Sequence, residues 1–264
     1  MDGLPHPALG LLLALLVGFV LGLLGGGGSI LALPIFLYIF LIPVKPAVAM
    51  SLAVVGMSAF VGFLSHWRQG TVNLRIALPF GACAMVGAFG TARVARHVPE
   101  QAQLGLFAVF AVTASLMMLR DSLTRAPTAG DAPPPSTRDV ARFTPPLALQ
   151  ALGVGALTSL IGAGGGFVIV PALVLLAHVP IRTAVGSSLL IITMNSLSGF
   201  AGYVGQVAIN WRLVGSFTGV AAVGALIGTR MVRRVPQARI KQGFAVMILV
   251  LGSYFALRKL HILP

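Results

Sequence analysis

The chain has 264 residues, of which 57% are hydrophobic and only 9% charged, and its mean hydropathy is +0.98. This balance lies far outside that of a soluble globular domain, so the chain is read as a polytopic membrane protein. A net charge of +13 would suggest nucleic acid as a partner in a soluble chain. Here the basic residues fall in short gaps between apolar runs, where they act as topology signals facing anionic headgroups, and no nucleic acid is expected.

The acids are Asp2, Glu100, Asp121, Asp131 and Asp139, all in the tail, a loop or a polar central stretch. No buried carboxylate is therefore expected as a proton relay or a cation ligand. The single cysteine, Cys83, lies inside an apolar run, which excludes internal disulfides and multi-cysteine metal sites. It reads as a small packing residue, and no cofactor or metal is expected.

The N-terminus has no Lys or Arg before the first apolar run and no small-residue cleavage pattern after it. The first helix is accordingly expected to be retained, with the N-terminus outside the cytoplasm. Apolar runs then follow at 8–24, 30–42, 47–64, 76–92 and 104–119. A polar, proline-rich linker occupies 120–146, and the runs resume at 147–161, 167–179, 184–202, 213–229 and 242–257. The organisation is a first membrane repeat over 1–119, the linker, and a second membrane repeat over 147–264.

Adding 137 to first-half numbers superposes the halves without a gap. Gly18 falls on Gly155, Pro34 on Pro171, Ser51-Leu52 on Ser188-Leu189, Gly62-Phe63 on Gly199-Phe200, and Gln69, Asn73 and Arg75 on Gln206, Asn210 and Arg212. Shared hydrophobicity alone does not give so many matches in one register, so the chain is an internal duplication. If each repeat crosses the membrane an odd number of times, 12 of the 18 Lys and Arg lie on one side and 6 on the other. An even number would divide them equally, so the positive-inside bias favours inverted repeats. The predicted fold is an all-α polytopic membrane protein of two inverted repeats, each a glycine-broken helix pair plus three transmembrane helices.

The duplicated feature with chemical consequence is a glycine run. It occurs first as Gly25-Gly26-Gly27-Gly28-Ser29 and again as Gly162-Ala163-Gly164-Gly165-Gly166. Each glycine costs a helix roughly 1 kcal/mol relative to alanine, so each run is expected to break one. The 13-residue segments that follow would reach only about 20 Å, against a hydrocarbon core of about 30 Å. They are expected to start near the midplane, with the two breaks meeting across a pseudo-two-fold axis. Their first N–H groups lack intrahelical partners and carry the positive dipole end, so an anion suits them. The other reading is that the glycines only permit close helix crossing.

The candidate substrate-binding residues are thus Gly26, Gly27, Gly28, Ser29, Gly164, Gly165 and Gly166. Ser51 and its counterpart Ser188, and Ser58 and its counterpart Asn195, are candidates to line the same cavity, or else they bond helix carbonyls. The loop Gln69 to Arg75 and its echo Gln206 to Arg212 either fix where a helix starts or form a vestibule around Arg75 and Arg212. Trp67, Tyr203 and Trp211 read as interfacial aromatics. His66, His97 and His178 fall near helix ends, where solvation is expected, without metal-ligand spacing.

On these glycine runs, each followed by a proline, on the 47–51 helix start and on the Gln69 to Arg75 loop with its counterpart, the chain resembles the sulfite exporter TauE/SafE family of membrane transporters. The resemblance covers nearly the whole chain outside the tail and the linker. It implies a secondary transporter or permease of the inner membrane for small anions such as sulfite, sulfonates or related organic anions. Thiosulfate-handling relatives depend on membrane cysteines, and a lone Cys83 argues against that chemistry. An anion channel and a non-transporting membrane scaffold remain as alternatives.

Overall fold

The computed structural model describes residues 7–26, 28–103, 105–106, 109, 145–162, 165–175 and 179–232. Among them all regular structure is helical. The first half contains α1 (Pro7–Leu24), α2 (Ser29–Pro34), α3 (Val44–Arg68) and α4 (Leu74–Val94). The second repeats the order with α5 (Pro145–Ile161), α6 (Gly166–Leu175), α7 (Ile181–Tyr203) and α8 (Trp211–Met231). Of these, α3, α4, α7 and α8 are long and apolar enough to cross a membrane. Residues 120–144 of the linker, most of the run 104–119 and the run 242–257 lie outside the described residues.

The first short helix departs from the expected continuous segment. After Pro34 the chain widens into a π-helical turn, Ile35–Ile39, with Phe40 N–H donating to Ile35 O and Ile42 N–H to Phe36 O. Proline has no N–H to give the preceding turn, and its ring crowds the carbonyl four residues back, so a looser turn follows. The segment ends at Leu41, whose φ of +51° is strained for a branched side chain, just before Pro43 starts the next helix.

This segment folds back along α1. A Cβ on Gly28 would lie 2.1 Å from Val17 O, near the C-terminal end of α1, and one on Gly10 would lie 2.2 Å from the Phe40 ring at the other end. The two therefore run antiparallel, as a hairpin whose bend is the glycine run. Phe36 and Phe40 close its open end against Phe217 of α8, with ring centroids 5.1 and 6.2 Å away.

Helices α3 and α7 form the centre: 72% and 67% of their apolar windows are buried, against 39% and 44% for α4 and α8. They run antiparallel, since Leu52 packs at Gly199, Gly56 at Leu197 and Gly62 at Leu189. Helix α1 runs parallel to α8. Its Gly18 and Gly22 face the carbonyls of Ala221 and Ala225, while Gly224 and Gly228 of α8 face those of Leu15 and Phe19.

The contacts between halves obey a two-fold rule: moving one partner up by 137 and the other down by 137 gives another observed contact. Gly18 against Ala221 becomes Gly155 against Ala84, Gly224 against Leu15 becomes Gly87 against Leu152, and Gly25 against Val185 becomes Gly162 against Val48. Such reciprocity is the mark of a two-fold axis between like units.

Asn73 and Asn210 show why the repeated loops are alike. The Asn73 side chain accepts from Arg75 N–H and that of Asn210 from Leu213 N–H, capping α4 and α8 respectively. The motif fixes where a helix begins, and Arg75 and Arg212 are exposed beside it.

Candidate functional site

The two glycine runs meet. A Cβ on Gly26 would lie 2.3 Å from the carbonyl carbon of Gly166, and one on Gly166 would lie 2.3 Å from Gly26 Cα, so the two backbones are in direct contact. Helices α1 and α5 end at Gly25 and Gly162, whose φ values of +69° and +74° are open to glycine and strained for other residues. Gly28 seats on Val17 and Leu21, and its counterpart Gly165 on Thr158. Gly27 and Gly164 lie outside the described residues.

Each bend is held by a serine from the other half. Ser188 Oγ donates to Gly25 O and Ser51 Oγ to Gly162 O, both at 2.5 Å, and each serine also lies 2.8 Å from a carbonyl of its own helix. A serine has one proton, so these hydroxyls are committed to backbone carbonyls and offer a ligand only their lone pairs. Ser29 is committed in the same way, donating to Gly26 O at 2.6 Å. The serines therefore shape the breaks. Replacing either Ser51 or Ser188 with alanine should leave a glycine carbonyl unsatisfied and cost about 1–3 kcal/mol. Thermal unfolding of the two variants checks this, and the two-fold relation requires near-equal losses.

The amides are also partly used. Ser29 N–H donates to Gly26 O, Leu31 N–H to Gly28 O, and both Val168 and Ile169 N–H to Gly165 O. The breaks thus close short turns of their own as well as exposing dipole ends.

Beyond the breaks lies an asymmetric set of buried polar groups. Asn195 Nδ2 donates to Thr158 Oγ1 at 2.8 Å, and Thr158 donates in turn to Val154 O at 2.7 Å. Thr158 stands directly under Gly165, which ties Asn195 to the second break. Ser58, the counterpart of Asn195, is fully buried, and its hydroxyl has no hydrogen-bond partner among the described residues. Sequence reasoning missed Thr158 because its first-half counterpart is Leu21, so comparing the repeats drew no attention to it. Its position one turn before the second glycine run was the available signal.

Two expectations need correction. His66 is fully buried, with Nδ1 2.8 Å from Thr71 Oγ1, although a place near a helix end suggested solvation. Tyr203 is only 2% exposed and its hydroxyl reaches Ser159 O at 3.5 Å, so it is a core residue. Trp67 and Trp211, at 48% and 62% exposed, keep the positions expected of surface aromatics. Cys83 is half-buried, and among the described residues no three metal-ligating side chains come together.

The chain is similar to several probable membrane transporter proteins. A probable membrane transporter protein of Xylella fastidiosa is 32% identical over 243 residues, covering 90% of both chains. The probable membrane transporter protein YdhB of Bacillus subtilis is 25% identical, covering 92% of this chain and 97% of its own. A probable membrane transporter protein of Methanocaldococcus jannaschii is 28% identical over 73% of this chain and 72% of its own. No solved structure matches the chain. The family described as Sulfite exporter TauE/SafE matches residues 10–255, and with nearly the whole chain inside that match this membrane protein belongs to the family.

Proposed function

We propose that the chain is a secondary transporter that carries small anions, such as sulfite, sulfonates or related organic anions, across the inner membrane. The observation that carries this reading is the direct meeting of two glycine breaks, each clasped by a serine from the opposite half. Broken helices at membrane depth are tolerated where the freed backbone groups face protein or a ligand, and their dipole ends favour negative charge. Residues 1–119 and 147–264 form the two repeats, joined by 120–146.

The repeats are inverted. Support comes from α3 and α7, which are counterparts and run antiparallel, as an axis lying in the membrane plane requires. Each glycine run is then the tip of a hairpin entering from its own face, and transport exchanges which face is open. Anion binding draws on the break amides of Gly26 to Ser29 and Gly164 to Gly166, with Asn195, Ser58, Ser51 and Ser188 beside them. In this closed arrangement the serine hydroxyls bond backbone carbonyls and the Asn195 amide bonds Thr158, so these side chains donate to a substrate by exchanging those bonds.

The test is uptake of a panel of sulfite, small sulfonates and small carboxylates by purified protein in vesicles. Saturable uptake of at least one anion is expected, falling about ten-fold in Asn195→Leu, the effect of losing a hydrogen bond to a charged group. Non-saturating flux would assign a channel. Absence of flux for the whole panel would overturn the transporter reading.

A further inference from the structure

Beyond the Ser58/Asn195 and Leu21/Thr158 pairs, the two-fold relation fails chemically at a further buried position. His66 in the first half corresponds to Tyr203 in the second, and both reach the same backbone point. His66 Nε2 lies 3.5 Å from Gly22 O, and Tyr203 Oη lies 3.5 Å from Ser159 O, the counterpart of Gly22. Around His66 the polar groups continue. Thr71 Oγ1 lies 2.8 Å from Nδ1 and 3.1 Å from His66 O, and Ser65 Oγ lies 2.9 Å from Thr229 Oγ1. The second half has Gly202, Ala208 and Ala92 in place of Ser65, Thr71 and Thr229. One half thus has an imidazole in a network of hydroxyls, and the other has a phenol that meets the buried Gln103 side chain and the Ser159 carbonyl.

The geometry around the imidazole accommodates both of its protonation states. Gly22 O can only accept, so Nε2 carries a hydrogen in either state. In the neutral ring, the Thr71 hydroxyl donates to Nδ1. In the imidazolium, Nδ1–H donates to Thr71 Oγ1, and the threonine hydrogen turns to His66 O, already within reach. No buried hydrogen is left without an acceptor in either state. What changes is the strength of the bond to Gly22, which becomes charge-assisted.

The charged residues at this end of the elements packed around His66 are Arg68 on α3, Arg75 on α4, Arg182 on α7 and Arg230 on α8, all exposed. The described parts of α1 and α2 carry no charged residue, and no acid faces the ring among the described residues. Since α3 and α7 are antiparallel, these arginines mark one face of the bundle. Gly22 lies one turn before the bend at Gly25, on the arm of the hairpin that ends in the break.

We propose that His66 is a proton-operated clasp on this arginine-bearing face. When protonated it holds the α1 arm at Gly22 firmly, and when neutral it holds it only weakly, so transport responds to pH through this residue. Tyr203 holds the corresponding point of the other hairpin without that response. The clasp rests on the transporter reading above, and acid should hold the His66 face shut.

Two measurements decide it. The first is vesicle uptake of methanesulfonate, whose own charge stays constant, with both sides at a pH of about 5 or about 8, the range in which an imidazole titrates. Wild-type uptake should be about five-fold slower in acid, the factor given by strengthening one hydrogen bond through charge. His66→Gln, and His66→Tyr with the residue of the other half, should lose most of that ratio. If both variants keep the wild-type ratio, the clasp is wrong. The second needs no transport: in histidine-labelled protein in micelles, the resonance missing from His66→Gln should move to its protonated position as the pH falls. A resonance that stays neutral throughout overturns the proposal. If wild type carries no methanesulfonate at any pH, the choice of substrate fails, and the titration still decides the clasp.

Discussion

Gly26→Val should yield little folded protein. Its Cβ would lie 2.3 Å from both the carbonyl carbon and the oxygen of Gly166, and neither atom is the end of a flexible side chain that can turn aside. Relief requires one hairpin tip to move away from the other. That motion lengthens the Ser188 bond to Gly25 and the Ser51 bond to Gly162, because those serines hold the same two bends. Overpacking in an adaptable core costs about 1–3 kcal/mol, and contact with rigid backbone on both sides lies at or above the top of that range. Size-exclusion profiles and thermal unfolding of detergent-purified protein check the result. Gly153→Val is the control, since no atom lies within 4 Å of a Cβ at Gly153. Equal behaviour of the two variants would mean that the breaks do not touch.

The same geometry separates glycine substitutions from tests of binding. Gly28→Val meets Val17 O at 2.1 Å, and Gly165→Val adds a φ of +81° to a contact with Thr158 at 2.8 Å. Loss of uptake in either variant therefore reports folding first. Asn195→Leu keeps the branched shape of the side chain but also removes its bond to Thr158, so it addresses the ligand only in protein whose unfolding midpoint matches wild type.

The duplication in register 137 was legible because a repeated sequence preserves its glycines, prolines and caps wherever backbone geometry demands them. The expectation that the two breaks meet came from inverting one repeat against the other, and in the structure Gly26 touches Gly166. The direction of the serine hydroxyls was not legible. Ser51 and Ser188 look alike whether they face a ligand or the carbonyl of the opposite bend, and only the placement of one half against the other decides. His66 was misjudged for a related reason. Its partners are Thr71 beyond the helix end and Gly22 on α1, and a position near a helix terminus carries no sign of a loop folding back over it. The π-helical turn after Pro34 was hidden because hydrophobic periodicity does not distinguish a tight turn from a wide one.

The second large effect is expected on the outer seam. Gly18→Leu places a Cβ 1.8 Å from Ala221 O, at a point where α1 and α8 approach closely through small residues on both helices. The variant should lower the unfolding temperature by roughly 5–10 °C, from an overpacking cost of about 2–3 kcal/mol in a protein of this size. Gly219 lies on α8 as well, but nothing stands within 4 Å of a Cβ there, so Gly219→Leu should change the midpoint by less than about 2 °C. The pair separates a general intolerance of leucine on these helices from a specific steric seam. Gly155→Leu extends the test to the other half. Its Cβ would lie 2.0 Å from Ala84 O, the two-fold counterpart of the Gly18 contact, so its loss should match that of Gly18→Leu. Because this second seam joins α5 to α4, a different pair of helices, a match follows only if the two halves are packed by the same rule. A large drop in one variant with none in the other would remove the two-fold relation on which the meeting of the glycine breaks depends.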